Sequence, residues 1–227
     1  MFKTKRELVF FILAGIFITN AVVAEAIGGK LINIGPFIMS VGIIPWPVVF
    51  LTTDLINEYY GKPGVRKISW FTAGLIVFMF GILFFCMQIP ASDVSPVKDA
   101  AFNEVFGQSS AIIIGSIIAF LVAQLVDVWV FWLLRNKTGD KMLWLRATGS
   151  TAVSQIIDTF LVVMIGFYMT GENTFSECVN MAATGYVCKL LIAIALTPLI
   201  YAGHGIIDNY FGKEKDTVID DAAKSSE

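Results

Sequence analysis

Six apolar segments, each close to the length needed to cross a bilayer, constrain the fold of this chain more than any other feature. A helix needs about 20 residues to cross a hydrocarbon core of about 30 Å. Because lipid offers the backbone no hydrogen-bond partners, each segment is expected to be helical. The sequence therefore predicts an all-α membrane protein with six transmembrane helices. We place these spans at 7–27, 44–60, 67–88, 110–134, 147–169 and 180–202.

The composition excludes several classes of function. Of the 227 residues, 56% are hydrophobic and only 15% are charged, which is typical of a membrane protein. The net charge of −2 gives no indication of nucleic acid. One His and three Cys supply neither metal-ligand spacing nor a disulfide framework. With no nucleophile–base arrangement and no phosphate-binding loop, we expect no enzyme, no cofactor and no metal.

The basic residues are distributed unevenly between the two sides of the predicted bundle. One side has only Lys30 and Lys98, and Lys189 falls inside the sixth span. Because cytoplasmic loops carry an excess of Lys and Arg, both termini are predicted to be cytoplasmic. The basic residues on that side are Lys3, Lys5, Arg6, Lys62, Arg66, Lys67, Arg135, Lys137, Lys141, Arg146, Lys213, Lys215 and Lys224.

Two segments do not fit a regular span. Residues 28–44 are apolar but interrupted by Gly and Pro, and Pro45 and Pro47 favour a helix that begins there rather than one that runs through them. We expect a re-entrant or lid-like segment before the second helix, with an ordinary proline kink as the alternative. Residues 1–212 are predicted to form one six-helix transmembrane domain, and residues 213–227, rich in Lys, Asp, Ala and Ser, a disordered cytoplasmic tail.

The order of the spans suggests an internal duplication. Two halves of three spans each would be inverted relative to one another, as in many transporters. Asn20 in the first span and Asp54 in the second have polar counterparts in Gln124 and Asp158 of the second half. The sequence match between the halves is weak, so the 3+3 inverted repeat is only a hypothesis.

Residues 50–62 combine an apolar run with polar groups that lipid disfavours. Asp54 and Glu58 lie four residues apart on one helical face, with Asn57 between them. Polar residues in an apolar helix are unfavourable, and nothing within this stretch pairs with them. Such a stretch is a candidate functional site.

The fourth span carries a similar polar pair, Gln124 and Asp127. Asp127 lies roughly 10 Å inside the cytoplasmic boundary at 1.5 Å per helical residue, and Asp54 lies at a similar depth. Equal depth allows the two carboxylates to converge on one cavity.

The fifth span has a polar stripe, because Ser150, Ser154 and Asp158 recur every four residues. Gln155 lies beside it. In the sixth span, Lys189 reaches a depth comparable to that of Asp158. The simplest interpretation is an Asp158–Lys189 ion pair, since intramembrane charges usually pair, although a paired group can still take part in transport.

The polar residues of the spans are accompanied by aromatic ones. Carboxylates accept paired hydrogen bonds, amides both donate and accept, and aromatic faces stack on planar rings. This combination fits a planar, donor-rich heterocycle better than a sugar or a bare ion. The aromatic residues concerned are Trp46, Trp129, Phe131, Trp132 and Phe160.

Four motifs in this order resemble the queuosine precursor transporter family. They are Phe-Leu-Thr-Thr-Asp-Leu-Ile-Asn-Glu-Tyr-Tyr-Gly at 50–61, Gln-Leu-Val-Asp-Val at 124–128 followed by Phe131 and Arg135, Gly-Ser-Thr-x-x-Ser-x-x-x-Asp-Thr at 149–159, and Cys-Lys-Leu-Leu-Ile at 188–192. The resemblance implies a six-helix, multi-pass protein of the bacterial inner membrane. It also implies import of 7-deazaguanine bases (preQ0, preQ1 or queuine) that serve the synthesis of the modified tRNA nucleoside queuosine.

The resemblance and the residue inventory together define a substrate site. One carboxylate among Asp54, Asp127 and Asp158 is expected to accept the ring N–H and the exocyclic amine side by side. Asn20 or Gln155 would serve the ring carbonyl, and Trp46 or Phe160 would stack on the ring. The expected substrate-binding residues are Asn20, Trp46, Asp54, Asn57, Glu58, Gln124, Asp127, Ser154, Gln155, Asp158 and Lys189.

The mode of transport is left open by the sequence. A buried carboxylate could carry a coupled proton, or the substrate could enter by facilitated diffusion. A rival function is the substrate-binding membrane subunit of an energy-coupling-factor vitamin importer, which needs an ATPase partner. A structural membrane protein is disfavoured because purely structural spans rarely hold so many buried carboxylates. The expected partners are the lipid bilayer, the small-molecule substrate and, as an open alternative, a second copy of the chain.

Overall fold

The protein is a helical bundle in which seven α-helices and one short hairpin follow one another along the described chain. The computed structural model describes residues 2–35, 37–108, 110–139, 142–171 and 173–226. A π-helix, Met164–Tyr168, continues α5, and short 3-10 turns cover Val41–Ile43 and Gly212–Glu214. The elements are α1 (Lys5–Ala26), β1 (Leu31–Ile34), β2 (Phe37–Ser40), α2 (Trp46–Met87), α3 (Asp99–Phe106), α4 (Ser110–Thr138), α5 (Leu143–Val163), α6 (Phe175–Phe211) and α7 (Lys215–Lys224).

Five helical stretches of the described chain are long and apolar enough to cross a membrane. They contain α1, α2, α4, α5 and α6, so the predicted class, an all-helical membrane protein, is confirmed at this level. The predicted count of six is not reproduced as separate helices, because the second and third predicted spans are joined in α2. The inverted 3+3 repeat stays a prediction.

The helix starts follow local sequence signals. Thr4 caps α1 by accepting a hydrogen bond from the backbone N–H of Glu7 at 3.1 Å. Thr174 and Glu177 form a reciprocal capping box at the start of α6. Capping satisfies backbone N–H groups that have no partner within the helix, so both helices begin at defined residues.

Helix α2 reverses direction at Gly61. The backbone there adopts φ 66° and ψ −172°, a conformation that favours glycine, and Pro63 follows within the next turn. Tyr60 next to the turn donates a hydrogen bond to the carbonyl of Arg6, near the start of α1, at 2.8 Å. Beyond the turn, the cluster of Ile76 and Phe80 packs against Val22, near the opposite end of α1.

The segment between α1 and α2, where we expected a re-entrant or lid-like element, contains an antiparallel hairpin. Leu31 pairs with Ser40 at its open end. The Ser40 hydroxyl donates to the carbonyl of Gly28 at 2.7 Å, which ties the hairpin to the end of α1. A Cβ on Gly42 would lie 2.9 Å from the carbonyl oxygen of Ala24, so the returning chain passes close to the helix. Whether the hairpin enters the bilayer stays a prediction.

The tail that we expected to be disordered forms α7 and packs on the turn of α2. The side chains of Val218 and Ala222 are buried in the contact. The hydroxyl of Ser226 accepts a hydrogen bond from the backbone N–H of Lys62 at 2.9 Å. Lys215 forms an ion pair with Asp208 of α6 at 2.9 Å. The composition of the tail is typical of disorder, but these tertiary contacts provide what an isolated tail lacks.

Both ends of the described chain meet at the same end of the bundle. Lys5 donates to the carbonyl of Tyr210 at 2.9 Å, and Arg6 pairs with Asp221 at 3.1 Å. The other end of the bundle holds the hairpin and α3, a short, largely exposed helix. Gln108 connects α1 to this end by donating to the carbonyl of Glu25 at 3.0 Å.

Candidate functional site

A cleft of about 350 Å³, including its open mouth, lies between the first half of α2, α4 and α5. Six of the eleven residues expected to bind substrate line it. The lining residues are Trp46, Phe50, Thr53, Phe120, Ala123, Gln124, Asp127, Thr151, Ser154, Gln155 and Asp158.

Three aromatic rings form one wall of the cleft. The rings of Trp46 and Phe50 lie one helical turn apart and stack, with centroids 5.9 Å apart and planes inclined by 21°. Phe120 of α4 approaches Trp46 with a centroid distance of 5.8 Å. A wall of this kind offers flat apolar faces to a planar ring.

The remaining wall is polar and almost fully buried. The Ser154 hydroxyl donates to Oδ1 of Asp127 at 3.1 Å, and the Gln124 amide donates to Thr53 at 3.3 Å. Asp127 and Gln155 are only 5% and 4% exposed. Oδ2 of Asp127 and Oε1 of Gln155 accept no hydrogen bond from the described part of the chain. Two buried acceptors therefore belong to residues of the same wall.

Asp158 borders the cleft and is held by Lys189 of α6. The Lys189 ammonium lies 2.7 Å from the Asp158 carboxylate, and the two side chains are 18% and 15% exposed. The ion pair that the sequence indicated is thus confirmed. Asp158 is part of the cleft lining, whereas Lys189 is not.

Glu58 lies between two arginines near the Gly61 end of the bundle. Its carboxylate is 2.8 Å from Arg146 of α5 and 3.3 Å from Arg135 of α4. All three side chains are at most 7% exposed. The triad joins α2, α4 and α5, so Glu58 holds helices together rather than lining the cleft.

Asn57 and Trp132 extend this connection. The Trp132 indole N–H donates to Oδ1 of Asn57 at 3.1 Å, and the guanidinium of Arg135 lies 4.9 Å from the centre of the Trp132 ring. A cation over an aromatic face is stabilised by the negative charge of that face. Asn57 is therefore linked to the triad through Trp132 and does not line the cleft.

Asp54 lines a second cavity, of about 230 Å³, instead of the cleft that contains Asp127. The two carboxylates do not share one cavity, as their equal depth would have allowed. The cavities are nevertheless neighbours, because Phe50 and Thr151 line both.

Two further candidates lie away from the cleft. The side-chain amide of Asn20 donates to the carbonyl of Ile16 in its own helix at 2.8 Å. Phe160 packs against the cluster of Val163, Cys178 and Ala182 instead of facing the cleft. Of the two aromatic residues expected to stack on a ligand, only Trp46 is positioned in the cleft.

Sequence reasoning missed the partners of Glu58 because Arg135 and Arg146 lie at span boundaries, where basic residues usually belong to loops. One signal was available. The polar stripe of Ser150, Ser154 and Asp158 continues one turn back to Arg146, which places that cation on the same face of α5. Phe120 carried no signal, since an aromatic residue in an apolar run is ordinary.

Comparisons with known proteins place the chain in a family. Residues 40–203 match the family described as "Putative vitamin uptake transporter". A protein of Bacillus subtilis (strain 168), named "Probable queuosine precursor transporter", is 31% identical over 175 residues, which are 75% of this chain and 73% of the relative. A protein of the same name from Haemophilus influenzae is 30% identical over 159 residues, or 68% of this chain and 63% of the relative.

No solved structure matches the chain. The family match runs from the last residue of β2 through α2, α3, α4 and α5 and most of α6, and it contains every residue that lines the cleft. With its five long apolar helices, this chain belongs to the vitamin uptake transporter family and is a multi-pass membrane protein.

Proposed function

We propose that this protein imports queuosine precursors, the 7-deazaguanine bases preQ0, preQ1 and queuine, across the bacterial inner membrane. The names of the two relatives support this substrate class. The chemistry of the cleft supports it independently, because the cleft combines an aromatic wall with acceptors in need of donors.

The buried acceptors of Asp127 and Gln155 carry the proposal. A buried acceptor without a partner destabilises a protein by about 1–3 kcal/mol. A ligand that donates hydrogen bonds to both oxygens removes that penalty on binding. A deazaguanine has a ring N–H beside an exocyclic amine on one edge and a further N–H on its five-membered ring, so it offers donors in more than one direction.

In the proposed pose, Asp127 accepts the ring N–H and the exocyclic amine as two parallel hydrogen bonds. Bonds of this kind to an ionised carboxylate are about twice as strong as neutral ones. Gln155 lies one residue beyond Ser154, the hydrogen-bond partner of Asp127, and its amide serves the ring carbonyl or another N–H. The ring lies against Trp46 and Phe50.

The membrane arrangement that we propose has six crossings. Helix α2 has 42 residues and measures about 63 Å along its path, twice the thickness of a hydrocarbon core of about 30 Å. Its reversal at Gly61 supports two crossings. The basic residues cluster at the end that holds the Gly61 turn and both described chain ends, and we assign that end to the cytoplasm.

The pose is tested by comparing the affinities of two ligands for the unmodified protein and for the Asp127→Asn variant. Purified protein in detergent is titrated with preQ0 and with its analogue that lacks the exocyclic amine. Loss of the amine is expected to weaken binding to the unmodified protein by about tenfold to a hundredfold, as for a lost bond to a charged group. Asp127→Asn should bind preQ0 more weakly and barely distinguish the two ligands.

Asp93→Asn is the matched control, because it makes the same chemical change at an exposed position. It should behave as the unmodified protein does. The pose is wrong if Asp127→Asn discriminates between the two ligands as strongly as the unmodified protein.

A further inference from the structure

We propose that Asp54 is the proton-binding site of this transporter, in a chamber separate from the substrate cleft, and that one proton crosses with each base. The inference rests on the proposed function. It assigns the driving ion and its residue, which neither the family nor the named relatives specify.

The chamber is a small cavity between α2, α5 and α6 that adjoins the cleft. Asp54 is 2% exposed, and its Oδ1 has no hydrogen-bond partner in the described part of the chain. Among the described residues that line the chamber, the other polar side chains are those of Thr148 and Thr151. An isolated carboxylate in such surroundings is strongly favoured to be neutral.

The charged groups around Asp54 offer it no ion pair. Asp127 of α4 and Glu58 of its own helix are carboxylates. Arg146 of α5 is bound to Glu58 at 2.8 Å. Helix α6 contributes only uncharged residues to the chamber, such as Leu196. Within the described residues Asp54 therefore takes part in no ion pair, and a proton is the simplest way to neutralise it.

The lining favours a proton over a metal cation. Hard cations require about six oxygen ligands in proteins. The chamber offers one carboxylate and two hydroxyls, and the Thr148 hydroxyl already bonds to Thr197 at 3.0 Å. A proton needs a single carboxylate oxygen, and Oδ1 of Asp54 supplies one.

The position of the chamber connects the proton to the substrate. Phe50 and Thr151 separate it from the cleft, so Asp54 and Asp127 act on each other through a thin wall. A neutral base that fills the cleft displaces water from the space beside Phe50 and Thr151, and a drier environment disfavours a negative charge on Asp54. A proton from solution then neutralises Asp54, so base and proton bind cooperatively, as required for symport.

Calorimetry tests the coupling without a transport assay. Binding of preQ0, whose nitrile carries no ionisable amine, is measured in buffers with different heats of ionisation, which reveals the number of protons taken up. The unmodified protein is expected to take up close to one proton per base at alkaline pH. Its affinity should fall by about tenfold per pH unit in that range.

Asp54→Asn should still bind preQ0 but take up no proton, and its affinity should no longer depend on pH. Asp93→Asn, the exposed control, should keep the uptake. Binding of preQ0 by the unmodified protein without proton uptake overturns the inference, whether or not Asp54→Asn folds. Proton uptake that persists in Asp54→Asn also overturns it. So does binding of preQ0 that requires sodium. Absence of any preQ0 binding would instead refute the proposed function.

Discussion

At the scale of residues, charges inside the bundle are arranged in two ways. Glu58 and Asp158 have cations within ion-pair distance, whereas the described residues place none at that distance from Asp54 and Asp127. The paired carboxylates join helices to one another. Asp127 lines the cleft, where a substrate can reach it, and Asp54 lines the chamber, where a proton can bind to it.

This division predicts that Glu58 is primarily structural. Glu58→Gln would leave Arg135 and Arg146 facing each other in a buried site. Removing one partner of a buried ion pair typically costs about 3–5 kcal/mol. The free energy of unfolding, measured with denaturant on the protein in detergent, should fall by about that amount.

The exposed pair between Arg6 and Asp221 provides the control, since its side chains are 36% and 49% exposed. Asp221→Asn should change the free energy of unfolding by no more than about 1 kcal/mol. Equal losses in the two variants would show that the triad contributes nothing beyond a surface pair.

Part of the site could be predicted from the sequence, because membrane depth can be counted along a helix. The Asp158–Lys189 pair and the polar stripe of α5 follow from spacing alone. The separation of Asp54 from Asp127 could not be predicted, since it depends on how Phe50 and Thr151 fill the space between two helices. Depth gives the position along the membrane normal but not the direction in which a side chain points.

At the scale of elements, the turn within α2 determines the architecture. Gly61 and Pro63 are visible in the sequence as helix breakers, and the two spans on either side were predicted from hydropathy. The hairpin Leu31–Ser40 and the docking of α7 were missed. Both depend on contacts with distant residues, such as Ser226 with Lys62, rather than on local propensity.

The turn predicts which side of the membrane each segment faces. The test starts from a variant whose three cysteines are replaced by alanine. A single cysteine is then introduced at Lys67, just beyond the turn, or at Asp93, in the loop at the other end. Both positions are exposed. An impermeant maleimide applied to intact cells should label position 93. Position 67 should react only after the membrane is opened.

Lys213→Cys, near the end of α6, should behave like position 67, because both lie at the end of the bundle that we assign to the cytoplasm. Labelling of positions 67 and 93 from the same side would mean that α2 crosses the membrane only once, and the proposed six crossings would then be wrong. Labelling of positions 67 and 213, but not 93, from outside would reverse the proposed orientation.

At the scale of the whole molecule, the structure has a basic end and a central site. The basic end contains the Glu58 triad, the turn of α2 and the docked α7. The other end contains the hairpin and α3. Between them, the cleft presents an aromatic wall and a polar wall to the same space. This arrangement suits a protein that binds a planar base midway and releases it on one side.

We expect the chain to transport such a base without a partner protein. Uptake of labelled preQ1 into liposomes that contain only this protein, compared with empty liposomes, measures this. Asp127→Asn and the exposed control Asp93→Asn are measured in parallel.

We predict saturable uptake that unlabelled preQ0 inhibits, that Asp93→Asn retains and that Asp127→Asn reduces at least about tenfold, as expected for the loss of a charged hydrogen-bond partner. Tight binding of preQ1 without any uptake above that of empty liposomes would contradict the claim, and would assign the protein instead to the binding subunits that need an ATPase partner.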